Sequence, residues 1–307
     1  MKLLYFQDGH ASGKNSCNYI SNYFEDWLEM YDEILSIAKK NKCEMILDGG
    51  DLVDTPMPSY RVLDEIADRT EKNKIPVFSL FGNHASRFHS MEHAQYTGLA
   101  HLIKRSEYFN YLDNFKNEEV NIHAIEYSHD VETKIKEDGL MFHGDSNKFK
   151  IYVVHAFICP KEFPFATHVV PEDIKTNADL VLVGHYHDQW EKKIGDTTYL
   201  GIGCIGRMDI SERDIIPTVL LIDTDKREWK KIPLQSAKPA EEIFDLAKVE
   251  ALKAKSKSID EFLNSISSVK FKGIRVEDII KNIATEQKVD KEVLDLIFDK
   301  IGEINGL

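Results

Sequence analysis

The chain has 307 residues, enough for one large domain or one domain with a small appendage, and enough to bury a sizeable core. Hydrophobic residues make up 42% and charged residues 30%, and no apolar run approaches the roughly 18 residues of a membrane helix, which argues against both a membrane span and wholesale disorder. The net charge of −13 argues against non-specific attraction to polyanions, although a bound cation reverses the sign locally at a site.

From the N-terminus, Leu3 to Phe6 is an apolar run too short for a secretory signal core. Cys17, Cys43, Cys159 and Cys204 form no CxxC pair and read as reduced thiols, so the expected compartment is the cytoplasm. With Leu3 to Phe6, the runs Met45 to Leu47, Val77 to Phe81, Ile151 to Val154 and Leu180 to Val183 read as buried strands. Between the first two, Phe24, Trp27, Leu28, Tyr31, Ile34, Leu35 and Ala38 recur at spacings of three and four, which predicts an amphipathic helix. Val62, Leu63, Ile66 and Ala67 predict a second, with Pro58 and Ser59 as start signals and Lys74-Ile75-Pro76 as the stop. Strand, helix, strand, helix, strand implies a parallel α/β sheet. From Tyr199 to Ile232 strand-like runs broken by Gly203, Gly206 and Asp225 predict antiparallel strands and hairpins. Beyond Pro239, Ile243, Phe244, Leu246, Ala247 and Leu252, then Ile259, Phe262, Leu263 and Ile266, then Val293, Leu294, Ile297 and Ile301 sit at helical spacing. The expected division is residues 1–238 and a helical region, residues 239–307, which has more acidic than basic residues and is no basic arm.

The polar residues that matter follow the strands. Asp8 and His10 follow the first run, Asp51 and Asp54 the second, Asn83 and His84 the third, His155 the fourth, and His185 and His187 the fifth. In parallel sheets that edge is where ligand sites form, because the loops converge there. Residues two apart on an extended chain point the same way, so Asp8 with His10, and His185 with His187, are each expected to present two ligands to one place. Any one piece has a bland reading: a lone His155 is ordinarily a packed or solvated histidine. The joint order is what carries weight, with glycine directly before Asp51, Asn83 and His185, where close backbone approach is needed. Carboxylate, imidazole and amide oxygen without thiolate suit Mn, Fe or Zn, and seven ligands are too many for one tetrahedral ion. They suit two ions sharing Asp51. Such a pair clamps a phosphate and activates a bridging water for in-line attack, so the reaction class implied is phosphoester hydrolysis.

The ordered set Asp8-x-His10, Gly50-Asp51-x-x-Asp54, Gly82-Asn83-His84, His155 and Gly184-His185-x-His187 resembles the five-motif signature of the calcineurin-like metallophosphoesterases. Within them, Gly50 to Tyr60, the long helix before it, and Ile75-Pro76-Val77 leading into Gly-Asn-His resemble the SbcD-type DNA repair nucleases. The resemblance implies an α/β sandwich of mixed sheets flanked by helices, here with a small C-terminal helical region. It implies Asp8, His10, Asp51 and His187 around one metal, and Asp51, Asn83, His155 and His185 around the other, with manganese first and iron, zinc or magnesium as alternatives. His84 would be the catalytic histidine and Asp54 the carboxylate that orients it. Ala85 departs from the family, where an acidic residue usually follows the histidine.

Arg207 and Arg213 lie in a glycine-rich segment near the expected crevice and are candidate phosphate contacts, with solvated arginine as the bland alternative. His89 and His93 are four apart with no carboxylate in register, and His123, His129, His143 and His168 have no ligand spacing. The leading expectation is a two-metal DNA exo- or endonuclease of the SbcD kind. The alternatives are a small-molecule or cyclic-nucleotide phosphodiesterase or phosphatase, and a non-catalytic scaffold that binds partners through the tail. The tail stands where the resemblance implies a cap, a homodimer contact or docking of an SbcC-like ATPase. No membrane partner is expected.

Overall fold

The computed structural model describes residues 1–248 apart from 17, 86–90, 145–146 and 164–165. The chain divides into two compact units, Met1–Phe244 and Asp245–Leu307. The helical pattern expected beyond residue 248 lies outside the described residues, as do Cys17, His89 and the side chain of His93. Cys43, Cys159 and Cys204 are free and buried.

The first unit is built on two six-stranded mixed sheets flanked by helices. In one, strands β1 (Lys2–Phe6), β2 (Met45–Asp48), β3 (Val77–Ser79) and β4 (Phe109–Tyr111) run parallel. The antiparallel pair β11 (Thr218–Asp223) and β12 (Glu228–Pro233) adds to the β1 side, giving the order β12-β11-β1-β2-β3-β4. The second sheet contains β5 (Asn114–Lys116), β6 (Val120–Ile125), β7 (Phe149–His155), β8 (Leu180–Gly184), β9 (Gln189–Ile194) and β10 (Thr197–Ile202), in the order β5-β6-β7-β8-β10-β9. Only its edge strands β5 and β9 pair antiparallel.

The five expected strands exist, but they do not share one sheet. The first three lie in one sheet and the last two in the other. The central strands of each sheet are apolar on both faces, because the outer side is covered there as well as the inner one. Leu3, Tyr5, Leu47, Ile151, Val153, Leu182, Leu200 and Ile222 fill the space between the sheets. On the outer face of the second sheet Val154, Val181, Val183 and Tyr199 pack with Val131 and Ile135 of helix α4 (Val131–Asp138). A strand buried on both faces shows no alternation, so its sequence cannot say which sheet it joins. The segment expected to form antiparallel strands does so where β10 pairs with β9 and β11 with β1 and β12, and departs from it where β10 pairs parallel with β8.

Helices α1 (Tyr23–Lys40) and α2 (Tyr60–Asn73) follow their predicted patterns, and a further helix, α3 (Gly98–Arg105), precedes β4. The Asn22 side chain caps α1 by accepting from Glu25 N, with acidic residues in its first turn and lysines in its last, as the helix dipole favours. Ser59 is the N-cap residue of α2, and Lys74 ends it in a left-handed conformation. The buried stripe of α1 reaches β1 through Phe6 and Tyr31, whose ring centroids lie 6.4 Å apart. The last part of the unit crosses α1: Ser236 N and Oγ donate to Glu33, Lys238 pairs with Asp26, and Phe244 packs on Tyr19 beyond helix α5 (Ala240–Ile243).

Candidate metal centre

Asp8, His10, Asp51, Asp54, Asn83, His84, His155, His185 and His187 are brought to one rim, at the C-terminal ends of β1, β2, β3, β7 and β8. Asp8, His10 and His187 form one group, Asp51, His155 and His185 a second, and His10, Asp51 and His84 join them; within each group the ligand atoms lie within 4.8 Å of one another. His10 Nε2 faces His187 Nε2 at 3.2 Å. His155 Nε2 lies 3.1 Å from both Asp51 Oδ2 and Asn83 Oδ1, and His185 Nδ1 lies 2.8 Å from Asn83 Oδ1. Atoms bound at about 2.1 Å to one ion and roughly at right angles stand about 3 Å apart, so these separations fit a coordination shell as well as a hydrogen bond. Two facing imidazole nitrogens repel unless a proton or a cation lies between them. Nitrogen and oxygen donors in this arrangement fit divalent cations of the borderline class.

The convergence is not produced by strand alternation, as the spacing of Asp8 and His10 led us to expect. Asp8, His10, Asp51 and His185 adopt φ of 50°, 48°, 54° and 81°, so the chain leaves each strand through left-handed turns that redirect the side chains. Such residues cost about 1–3 kcal/mol each and persist only where the surroundings hold them. Here α1 does so: Trp27 Nε1 donates to Gly9 O at 2.6 Å and Tyr23 OH to His10 O at 2.9 Å. The loops also clasp each other, with Asp8 N donating to Gly50 O and His10 N to Asp51 O. Gly82 is required by contact: a Cβ there would stand 2.1 Å from Asp51 Oδ1.

The electrostatics suit a cation. Burial raises the Asp51 carboxyl, but His155, His10 and His84 outweigh it and hold the group well below the usual range. Burial opposes a charge on His155, yet Asp51 beside it, then Asp8, lift it to about 9. His187 is likewise lifted to about 9, against its burial, by Glu212 and Asp8. Burial and the neighbouring His155 push His185 down to about 4. A cation binding here therefore displaces protons from His155 and His187.

His84 sits at the mouth, with Nδ1 3.0 Å from the carbonyl oxygen of Asp54 and 3.4 Å from its Oδ1. The hydrogen bond with Asp54 is the main reason that His84 is raised to about 9. The same Asp54 Oδ1 is 3.6 Å from His10 Nδ1, so one carboxylate addresses two imidazoles. Ala85 is fully buried, with its N–H 3.4 Å from Asp51 Oδ1. Aromatic rings of Tyr127 and Phe157 pack on His185 at centroid separations of 5.6 and 5.9 Å.

The two arginines stand apart from this cluster. Arg207 is 6% exposed and donates to the carbonyls of Lys238 and Arg213, so it ties its loop to the chain before α5 and is not presented to a phosphate. Arg213 pairs with the adjacent Asp214 at 3.3 Å. Two residues that sequence reasoning missed touch the ligands instead. Glu212 Oε1 meets His187 Nδ1 at 2.5 Å, and Gln7 Nε2 donates to Asp8 Oδ2 at 2.9 Å. Glu212 had a sequence signal in the capping box that it forms with Asp209. Gln7, inside an apolar run, had none. Cys204 also lies beside His187 and Glu212, but burial pushes its thiol well up and keeps it protonated.

The calcineurin-like phosphoesterase family profile matches residues 8–189. The DNA double-strand break repair protein Mre11 of Thermoplasma acidophilum is 24% identical over 202 residues, covering 62% of this chain and 53% of that protein. The protein of the same name from Methanosarcina mazei is 23% identical over 263 residues, covering 81% and 40%. The chain thus spans about half or less of these relatives' lengths. Among solved structures, an archaeal phosphodiesterase is 16% identical, with 76% of this chain and 100% of that one covered and a TM-score of 0.43. No described helix is long and apolar enough to cross a membrane.

Proposed function

The chain belongs to the calcineurin-like phosphoesterases and is a metal-dependent phosphoesterase, and from that premise we propose that it is a DNA exo- or endonuclease of the SbcD kind that cuts phosphodiesters with two divalent cations. The observation that carries the two-cation reading is Asp51, whose carboxylate groups with His10 and His84 on one side and with His155 and His185 on the other. One cation would be held by Asp8, His10, Asp51 and His187, the other by Asp51, Asn83, His155 and His185. Bound there, divalent cations neutralise phosphate charge and activate water. Manganese is the first candidate.

The chain's own residues do the rest. Asp51 Oδ1 accepts from His84 N at 2.8 Å, which fixes the catalytic loop to the cation ligands. His84 uses Nδ1 on Asp54, leaving Nε2 to give a proton to the leaving oxygen; at about 9 it carries that proton at neutral pH. Asp54 acts through His84 and is a positioning residue. The rings of Tyr127 and Phe157 beside His185 are of the kind on which nucleobases stack. DNA as substrate is supported by the similarity to the DNA double-strand break repair proteins Mre11 and by the motif from Gly50 to Tyr60. Catalysis is assigned to residues 1–238, and residues 239–307 to a cap, a homodimer contact or docking of an SbcC-like ATPase, in a cytoplasmic protein.

The net charge of −13 favours a second reading, a small-molecule or cyclic-nucleotide phosphodiesterase. Labelled single- and double-stranded oligonucleotides assayed beside bis-p-nitrophenyl phosphate and cyclic nucleotides decide between them. Cleavage of oligonucleotides with a catalytic efficiency well above that on the small esters is expected; efficient turnover of cyclic nucleotides with intact oligonucleotides would overturn the nuclease reading.

A further inference from the structure

The ground on either side of the rim differs. On the flank of His84, Asp54 opens onto a cleft of about 360 Å³ whose wall includes Ser12, Lys14, Asn15, Met57 and Met208, with no aromatic ring among the described residues that line it. On the flank of His185 the neighbours are rings. Tyr127 lies 5.6 Å from His185, tilted by 35°, and 6.4 Å from His155. Phe157 lies 5.9 Å from His185 and packs on Tyr186 at 5.6 Å and Phe163 at 5.3 Å. Tyr127 and Phe157 are both half-buried.

The fold holds both rings in place. Tyr127 follows β6, and its N–H donates at 3.0 Å to Phe81 O, just beyond β3. Phe157 comes two residues after His155, and its N–H donates at 2.9 Å to Oε1 of Glu132, a buried residue in the first turn of α4. With their backbones tied to neighbouring elements, the rings are set before a ligand arrives, which lowers the cost of binding a flat one. A nucleobase is such a ligand, and stacking accepts any base because every base has a π-face.

Resting on the nuclease reading, in which His84 gives its proton to the leaving oxygen, we propose that the two flanks sort the two ester groups of the substrate. The nucleoside that keeps the phosphate stacks its base on Tyr127 and Phe157 at the His185 flank. The chain that leaves departs on the His84 flank, past Asp54 into the cleft, where no ring receives a base. Tyr127 and Phe157 are thereby specificity-determining residues: they register that a base is present on the retained side and are indifferent to which base it is.

The test uses phosphodiesters that share one leaving group, p-nitrophenolate, and differ in the group retained on phosphorus: thymidine joined through its 5′ or its 3′ oxygen, the same two deoxyribose esters without the base, and ethyl. The full chain assayed with Mn2+ is expected to hydrolyse the better thymidine ester with a kcat/KM about 5- to 150-fold above that of its base-free counterpart, which should match the ethyl ester. In Tyr127→Ala, and in Phe157→Leu, which keeps apolar packing beside His185 if a smaller side chain fails to fold, that ratio should fall towards one. Tyr127→Phe and Phe157→Tyr should preserve it, because a ring remains. A ratio near one in the wild type, a ratio unchanged in both ring-removing variants, or an equal loss on every ester overturns the proposal and leaves the nuclease reading standing; the last result would show that the rings only brace His185. Oligonucleotides left intact beside turnover of the ethyl ester overturn the nuclease reading and the proposal with it.

Discussion

The slab between the two sheets and the rim at their C-terminal edge are a few residues apart along β1, yet they follow opposite rules. In the slab Leu3, Tyr5, Leu182 and Leu200 are fully buried on ordinary extended strands. At the rim, two residues beyond Phe6, the chain enters left-handed turns, and charged side chains with hardly any exposure face one another. The slab gains stability from every residue. The rim gives some of it up, in strained backbone and crowded carboxylates and imidazoles, and so gathers groups that could hold a cation. The strained turns of the rim persist because the slab beneath them and α1 beside them hold their backbone.

The comparison can be broken most sharply at Asp51. Asp51→Asn should abolish turnover and strip cations, since one carboxylate serves both ligand groups, while leaving the fold intact. Metal analysis after dialysis checks it, and two ions retained per chain would refute the shared role. Next, His84→Ala should reduce turnover by about 10²- to 10⁴-fold with metal content unchanged. Asp54→Ala should fall less, and the double variant should lose less than the product of the two, because the pair acts as one unit. An emptied cation site in His84→Ala would show that the histidine is a ligand.

From the slab side, Leu182→Ala should cost about 2–5 kcal/mol of stability by denaturant unfolding, with the rate per folded molecule unchanged. A matching loss of turnover in the folded protein would mean that slab and rim are not separable. The smallest effect tests the boundary between them. Asp48, at the end of β2, is fully buried, accepts from Gly50 N and Ser79 Oγ, and is pushed by burial up to about 7. The unfolded carboxyl titrates near about 3.9. The folded state therefore holds this proton more tightly, and the stability it contributes is full below about pH 4 and is lost as pH rises through about 7. Asp48→Asn keeps an acceptor without the charge, so it should gain stability relative to wild type between pH 4 and pH 6, by about 2 kcal/mol. Unfolding both proteins at the two pH values reads the difference, and an unchanged difference would contradict the assignment.

Much of the site was legible because its ligands are short-range signals. Asp8 with His10, Gly50 with Asp51, Gly82 with Asn83 and His84, and Gly184 with His185 each pair a chemical group with a strand end or a glycine that permits close approach. The helix of Phe24 to Ala38 was legible for the same reason, its spacing being local. Arg207 was misjudged because its position in the chain, close to the rim, says nothing of its direction, which is set by the carbonyls of Lys238 and Arg213. Glu212 and Gln7 were missed because their partners, His187 and Asp8, are met only through the folded loop after β10 and the buried end of β1.

By itself the sequence determined that the longest apolar runs become strands, that the segments around Trp27 and Ile66 become helices, and that carboxylate, amide and imidazole groups follow strand ends, since hydrophobic periodicity, caps and side-chain chemistry act over a few residues. Tertiary structure alone decided the rest: which sheet each doubly buried strand joins, the left-handed turns that aim Asp8, His10, Asp51 and His185, and the contacts that Gln7 makes with Asp8 and Glu212 with His187. Those outcomes depend on which surfaces meet across the slab, and a chain read one residue after another carries no local signal for that.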